Sequence, residues 1–318
     1  MYFPHFNSIF FNRSQFANTP YLIDGEIKIP YGKKLIIEPG VKVIFTGHYK
    51  LIVNGILKAL GTEQDSIYFF PSDTSVGWHG IRFIEAEDLS TLEFCVLMYG
   101  KTSTPEELKM LEEIPCRQGE ECAEWLDPSG GAILINKSHT KINHCLIANN
   151  FAARNGGGIY IKNYANPVIR YCHIINNKSF DGGGISSSRI SNPFIYHCKI
   201  EHNYAENMGG GFLIDLYSNP VIDECSIKEN IADSRGGGIC FYTSAKPVVK
   251  NSTISYNTSA LGGGIYIDEF YNKYREQFDK IDIRIINVRI ENNTADYGGG
   301  IWLRDSQGEL SGVTVCYN

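Results

Sequence analysis

The stretch GGGIYIKNYANPVIRYCHIINNKSFD, Gly156 to Asp181, is followed at once by GGGISSSRISNPFIYHCKIEHNYAENM, Gly182 to Met208. Glycine triplets begin at Gly156, Gly182, Gly209, Gly236, Gly262 and Gly298, with steps of 26, 27, 27, 26 and 36 residues. A degenerate copy stands at Gly130-Gly131-Ala132. A period of this length marks a solenoid: one copy cannot bury its apolar side chains, whereas stacked copies share a continuous core.

Each copy holds three short runs, as in GIYI, NPVIRYC and HIINN, whose residues alternate between apolar and polar and are too few for a helix. Alternation turns Ile135, Ile161, Ser187, Ile214, Phe241, Ile267 and Leu303 into one inward column. Cys95, Cys145, Cys172, Cys198 and Cys225 form a second, continued by Ser252, Val288 and Val313. A third runs Asn150, Asn177, Asn203, Asn230, Asn257, Asn293 and Asn318. Asn tolerates left-handed backbone and bonds to its own turn, so this column predicts a ladder at one corner. The expected fold is all-β, a single right-handed parallel β-helix over residues 1–318, with residues 1–30 as an N-terminal cap.

The GGG-I-x-I and I-x-x-[CN]-x-I-x-x-N pattern resembles the pectate-lyase-like β-helix superfamily. GGAI at Gly130–Ile133, with the repeated I-x-x-N, is similar to the polymorphic outer membrane proteins of chlamydiae. LIIEPGVKVIF, LIVNGILKALGTEQDSIYFF and GWHGIRF, between Leu35 and Phe83, resemble the first coils of secreted bacterial β-helix proteins. The resemblance covers residues 20–318 and implies the fold; lyases, hydrolases, adhesins and tailspikes share it, so it leaves function open.

The formal charge of −6 and the absence of a basic stripe argue against nucleic-acid binding. No apolar run reaches membrane-spanning length. The first twenty residues lack the basic start and apolar run of a signal peptide, so the expectation is a piece of a longer secreted or cell-surface protein. VTVCYN ends at the Asn-ladder position, which leaves either further sequence or an oligomer contact at an uncapped coil. The cysteine column is expected to be reduced and to act as small apolar residues. Cys116 and Cys122 are disulfide candidates in an oxidising compartment, and no Cys/His spacing suits zinc.

Two departures from the period are the places to look for function. Residues 101–128 form an acidic insertion, with eight acids against three bases, in which Thr104, Pro105 and Glu107 read as the start of a short helix. The second is at 271–280. Both flank the strand that follows the glycines, which the resemblance implies is the substrate groove. Its outward columns are Leu134, Tyr160, Ser186, Leu213, Cys240, Tyr266, Trp302 and, next to it, Asn136, Lys162, Ser188, Asp215, Tyr242, Asp268, Arg304.

Aromatic faces suit pyranose rings and polar groups suit hydroxyls, so Tyr160, Lys162, Arg189, Tyr242, Tyr266, Trp302, Arg304 and Asp305 are the expected polysaccharide contacts. The alternative is that these rings pack against cross-strand neighbours. Asp215 and Asp268, two coils apart, have the separation of an inverting hydrolase pair, with Glu269 as a substitute. No metal or cofactor is expected; a lyase would bring in Ca²⁺ and a base such as Lys162 or Arg189, but the superfamily's lyase motifs are not recognisable. His144, His173, His197 and His202 lie away from this face, and His79 reads as structural. Three functions therefore stand: a polysaccharide-recognising solenoid, a polysaccharide hydrolase or lyase in the same groove, and an adhesin-like structural repeat.

Overall fold

A computed structural model describes residues 8–12, 20–103, 127–268 and 281–318. Within them every regular element is a strand, and every pairing is parallel. The strands stack into sheets of 11, 11, 10 and 6. The ten-stranded sheet, here the post-glycine sheet, runs from Ile27–Ile29 to Ile301–Arg304 and contains the strands that follow each triplet. Its register confirms the inward column step by step: Ile135 pairs with Ile161, Ile161 with Ser187, Ser187 with Ile214, Ile214 with Phe241, Phe241 with Ile267 and Ile267 with Leu303. Strands Ser8–Phe11, Tyr21–Ile23 and Ile27–Ile29, within the expected cap, already open three of the sheets. The helix expected from Thr104, the insertion at 271–280 and the pair Cys116 and Cys122 lie outside the described residues.

The six-stranded sheet corrects the expectation of three strands per coil. It is built from the segments just before each triplet, among them Phe151–Asn155, Lys178–Asp181 and Tyr204–Met208. These segments show no run of apolar residues because only one small side chain in each, such as Ala152, Ser179, Ala205 or Ala232, turns to the core. The triplet then folds this pre-glycine sheet against the post-glycine sheet. Its first glycine is left-handed, with φ of +67° at Gly182 and +68° at Gly209, where a Cβ is costly. A Cβ on the middle glycine Gly183 would sit 2.5 Å from the carbonyl oxygen of Gly210 in the next coil.

The Asn ladder forms, with a different geometry from the expected one. The left-handed residue is the one before each ladder position, such as Asn149, Asn176, His202 or Glu229. The ladder residues themselves turn inward and are at most 1% exposed from Asn150 to Asn293. The backbone N–H and Nδ2 of Asn203 both donate to Oδ1 of Asn230, at 2.9 and 3.0 Å, and Nδ2 also donates to the carbonyl of Ile174 at 2.9 Å. The same set recurs in every coil to Asn318. Buried amides that are fully partnered stabilise, and removing one strands its neighbours' groups.

The cysteine column is buried, and all seven described cysteines are free thiols. Burial raises the Cys145 and Cys172 thiols well above their ordinary range, which keeps them unreactive. Outside this corner Phe94, His144 and Tyr171 stack at 4.6 and 4.8 Å.

Two stability predictions follow from the columns. Asn203→Ala should destabilise by about 2–4 kcal/mol in chemical denaturation, since it removes several buried bonds at once. Ser187 is fully buried in the inward column and its hydroxyl has no hydrogen-bond partner, so Ser187→Ala should stabilise by about 1 kcal/mol; a loss of stability would contradict this account of the core.

Candidate functional site

The pre-glycine sheet decides what the outward columns can do. Residues just before the triplets reach the first outward column in the middle of the stack: Met208 packs with Leu213, Cys240 and Tyr266 in a second apolar cluster, with Leu261, Tyr242 and Trp302 against it. Tyr266, in this cluster, is only 1% exposed and Tyr160 only 6%, so the structure takes both rings out of the expected sugar-facing row. Packing is their role. Tyr266 stacks on Trp302 at 4.6 Å and lies under the Arg235 guanidinium at 5.7 Å. Burial raises the phenols of Tyr160 and Tyr266. Trp302 remains partly open, at the end of this stack.

The second column forms a row parallel to the axis, beside the first. Asp215, Tyr242 and Asp268 occupy successive coils, with Tyr242 opposite Asp268 in register. Asp268 is 2% exposed and its carboxylate takes three donors: Arg304 Nε at 2.8 Å, Arg304 Nη2 at 2.6 Å and the Tyr266 hydroxyl at 2.8 Å. An acid so engaged holds the coils together, and the same bond commits Arg304, expected as a ligand contact, to Asp268. Lys162 is likewise tied, its Nζ 2.6 Å from Asp127 Oδ2 at the end of the first insertion. Asp305 is well exposed, 4.0 Å from Arg304 Nε. Glu269 lies outside the described residues.

Asp215 is different. It is half-buried, and desolvation, aided by the nearby Asp181 carboxyl, pushes it up to about 7, although the Leu216 N–H donates to its Oδ1 at 2.7 Å and Thr243 and Arg189 oppose the shift. Asp181, which sequence reasoning missed, is pushed up to about 6, again by burial, against bonds from Asn207 Nδ2 at 2.9 Å and the Met208 N–H at 3.2 Å and the charge of Arg235. The carboxyl that Asp215 senses is thus Asp181, from the pre-glycine sheet. The available signal was position: Asp181 directly precedes a triplet, in the same place as Met208 and Arg235. A carboxyl still partly protonated near neutrality and reachable from solvent can donate as well as accept a hydrogen bond.

At the start of the face, Arg82 is buried, and desolvation lowers its guanidinium to about 9; it donates to the carbonyl of Gly130 and feels Asp127. His79 is buried beside it and kept well below its usual range by desolvation and by Arg82 and Lys50. Among the described residues no group of three or more His, Cys, Asp or Glu is placed to hold a metal ion, and no helix is long and apolar enough to cross a membrane.

This architecture is that of a parallel β-helix with one walled face. A family model described as right handed beta helix region matches residues 121–267 and 200–318, and the chain belongs to that family. One stretch of 63 residues is 43% identical to the tRNA-specific 2-thiouridylase MnmA of Pseudothermotoga lettingae, covering 20% of this chain and 18% of that protein. The chain therefore spans less than a fifth of that relative's length, and the match assigns no activity. Among solved structures, a variant of the periplasmic alginate epimerase AlgG is similar over 93% of this chain and 77% of that one, with 13% identity and a TM-score of 0.34. A second AlgG variant covers the same shares with 14% identity and a TM-score of 0.26. Superpositions this loose bear on neither site nor substrate.

The raised carboxyls give a signed pH dependence. Asp215 and Asp181 ionise at higher pH in the folded chain than in the unfolded one, so the native state holds more protons between about pH 4 and about pH 7. Their contribution to stability is full below that window and is lost as pH rises through it. Asp215→Asn removes one titration; its melting temperature should gain on that of the parent between about pH 4 and about pH 8. A gap that stays constant with pH would show that Asp215 titrates normally.

Proposed function

We propose that the chain recognises a polysaccharide laid along the post-glycine sheet, at or outside the cell surface. The observation that carries this reading is the row itself. Asp215 and Tyr242, both half-buried, stand on successive coils at a spacing of about 4.8 Å, and the column continues through the Asp268–Arg304 pair to the exposed Arg304. A linear row of hydroxyl, carboxyl and aromatic groups suits a polymer whose own units repeat, and a compact ligand would use only part of it. Tyr242, half-buried, and Trp302, partly open, are the rings left to meet a sugar once Tyr160 and Tyr266 are set aside.

A hydrolytic reading is favoured by one feature, the protonation of Asp215 near neutrality, which is what a general acid needs. In that reading Asp181 replaces Asp268 as the companion carboxyl.

Retention of the protein on a panel of insoluble polysaccharides, with new reducing ends measured in parallel, tests both. Tyr242→Ala and Trp302→Ala should each weaken retention about tenfold, or ~1.4 kcal/mol, with the fold intact by circular dichroism. If neither changes retention, the row is not the binding surface. Products that vanish in Asp215→Asn while retention persists would establish hydrolysis.

A further inference from the structure

Three cations of this face are paired in place. Lys137 Nζ lies 2.8 Å from Glu85 Oε1, Lys162 Nζ 2.6 Å from Asp127 Oδ2, and Arg304 Nη2 2.6 Å from Asp268 Oδ2. Two of these pairs leave at least one partner largely buried: Lys162 and Asp127 are 9% and 10% exposed in their side chains, and Asp268 is 3%. Lys137, Lys162 and Arg304 therefore each have a carboxylate beside them, contributed by a neighbouring coil or by the end of the first insertion. A buried ion pair whose charges are satisfied internally has little attraction left for a ligand charge, and separating it costs several kcal/mol.

Resting on the polysaccharide reading above, we propose that the face selects an uncharged polysaccharide and excludes polyanionic ones. A polyuronate or sulfated glycan brings one charge per unit or so. Along this row it would find Lys137, Lys162 and Arg304 already paired and would lie against carboxylates. An uncharged chain needs no ion pair opened, and it finds donors and acceptors in the half-buried Tyr242 and Asp215. As pH rises, Asp215 adds a negative charge to the row, which strengthens the exclusion of anions.

Titration of the full chain against soluble neutral polymers (a mixed-linkage β-glucan, a mannan and a galactan) and against polygalacturonate and alginate, at about 50 mM and about 500 mM salt, decides the matter. The expected result is binding to at least one neutral polymer, changed less than twofold, roughly, by salt, and none to the polyuronates. Tighter binding to a polyuronate, weakened by salt, overturns the inference and leaves the polysaccharide reading standing. Binding to none of the polymers overturns both. The substitution Glu85→Gln removes the exposed carboxylate beside Lys137 without touching the buried pairs. It should introduce salt-sensitive polyuronate binding while the neutral polymer binds as before; a variant that still ignores polyuronates would show that charge pairing does not set the selectivity.

Discussion

The structure depends on a place where two backbones come too close for any side chain. At the middle glycine of each triplet the chain passes under the next coil, so that a Cβ at Gly237 would sit 2.5 Å from the carbonyl oxygen of Thr258. Only there can the pre-glycine strand end, reverse through a left-handed first glycine and start the post-glycine strand within three residues. The turn is tight enough to lay the residue before it across the strand after it. From that follow the buried first column, up to Tyr266, and the row beside it. Glycine loses more conformational freedom on folding than any other residue, about 0.5–1 kcal/mol relative to alanine in a strand, and the repeat accepts that cost at six full triplets because nothing larger fits.

What could be read from the sequence was whatever depends on alternation and period. The inward column from Ile135 to Leu303, the cysteine column and the Asn ladder stand where spacing put them. Alternation says which way a side chain points, though not what lies on top of it. Tyr160 and Tyr266 do point away from the core, yet both are buried, and a second layer covers Tyr266. That layer was hard to see because segments such as Phe151–Asn155 bury little more than one alanine or serine, so they carry no apolar signature. The same gap hid Asp181. Its environment is made by Asn207, Met208 and Arg235, residues 26 to 54 positions away, and only the stacking of coils brings them together.

The polar row shows how a solenoid handles charge. In a parallel stack, residues in register are neighbours whatever their distance in sequence, so an acid in one coil can be neutralised by a base in the next. Asp268 and Arg304 are 36 positions apart and bonded through two nitrogens. Asp215 has Tyr242, a residue without charge, at the matching place in the coil after it, and burial together with the Asp181 carboxyl holds its proton to a higher pH.

The ladder of asparagines has a consequence for how such a chain changes over generations. Each amide gives to the next coil and receives from the one before, always in the same sense, and the steps along it are the same whether 25, 27 or 36 residues separate the rungs. Duplicating or deleting a whole coil rejoins the ladder without a fault, whereas a single residue inserted into a strand would turn its inward side chains outward. Extra residues are admitted only between the rungs, at the corners. The coil is therefore the heritable unit of length in this protein, and its corners are where new sequence can enter without altering the core.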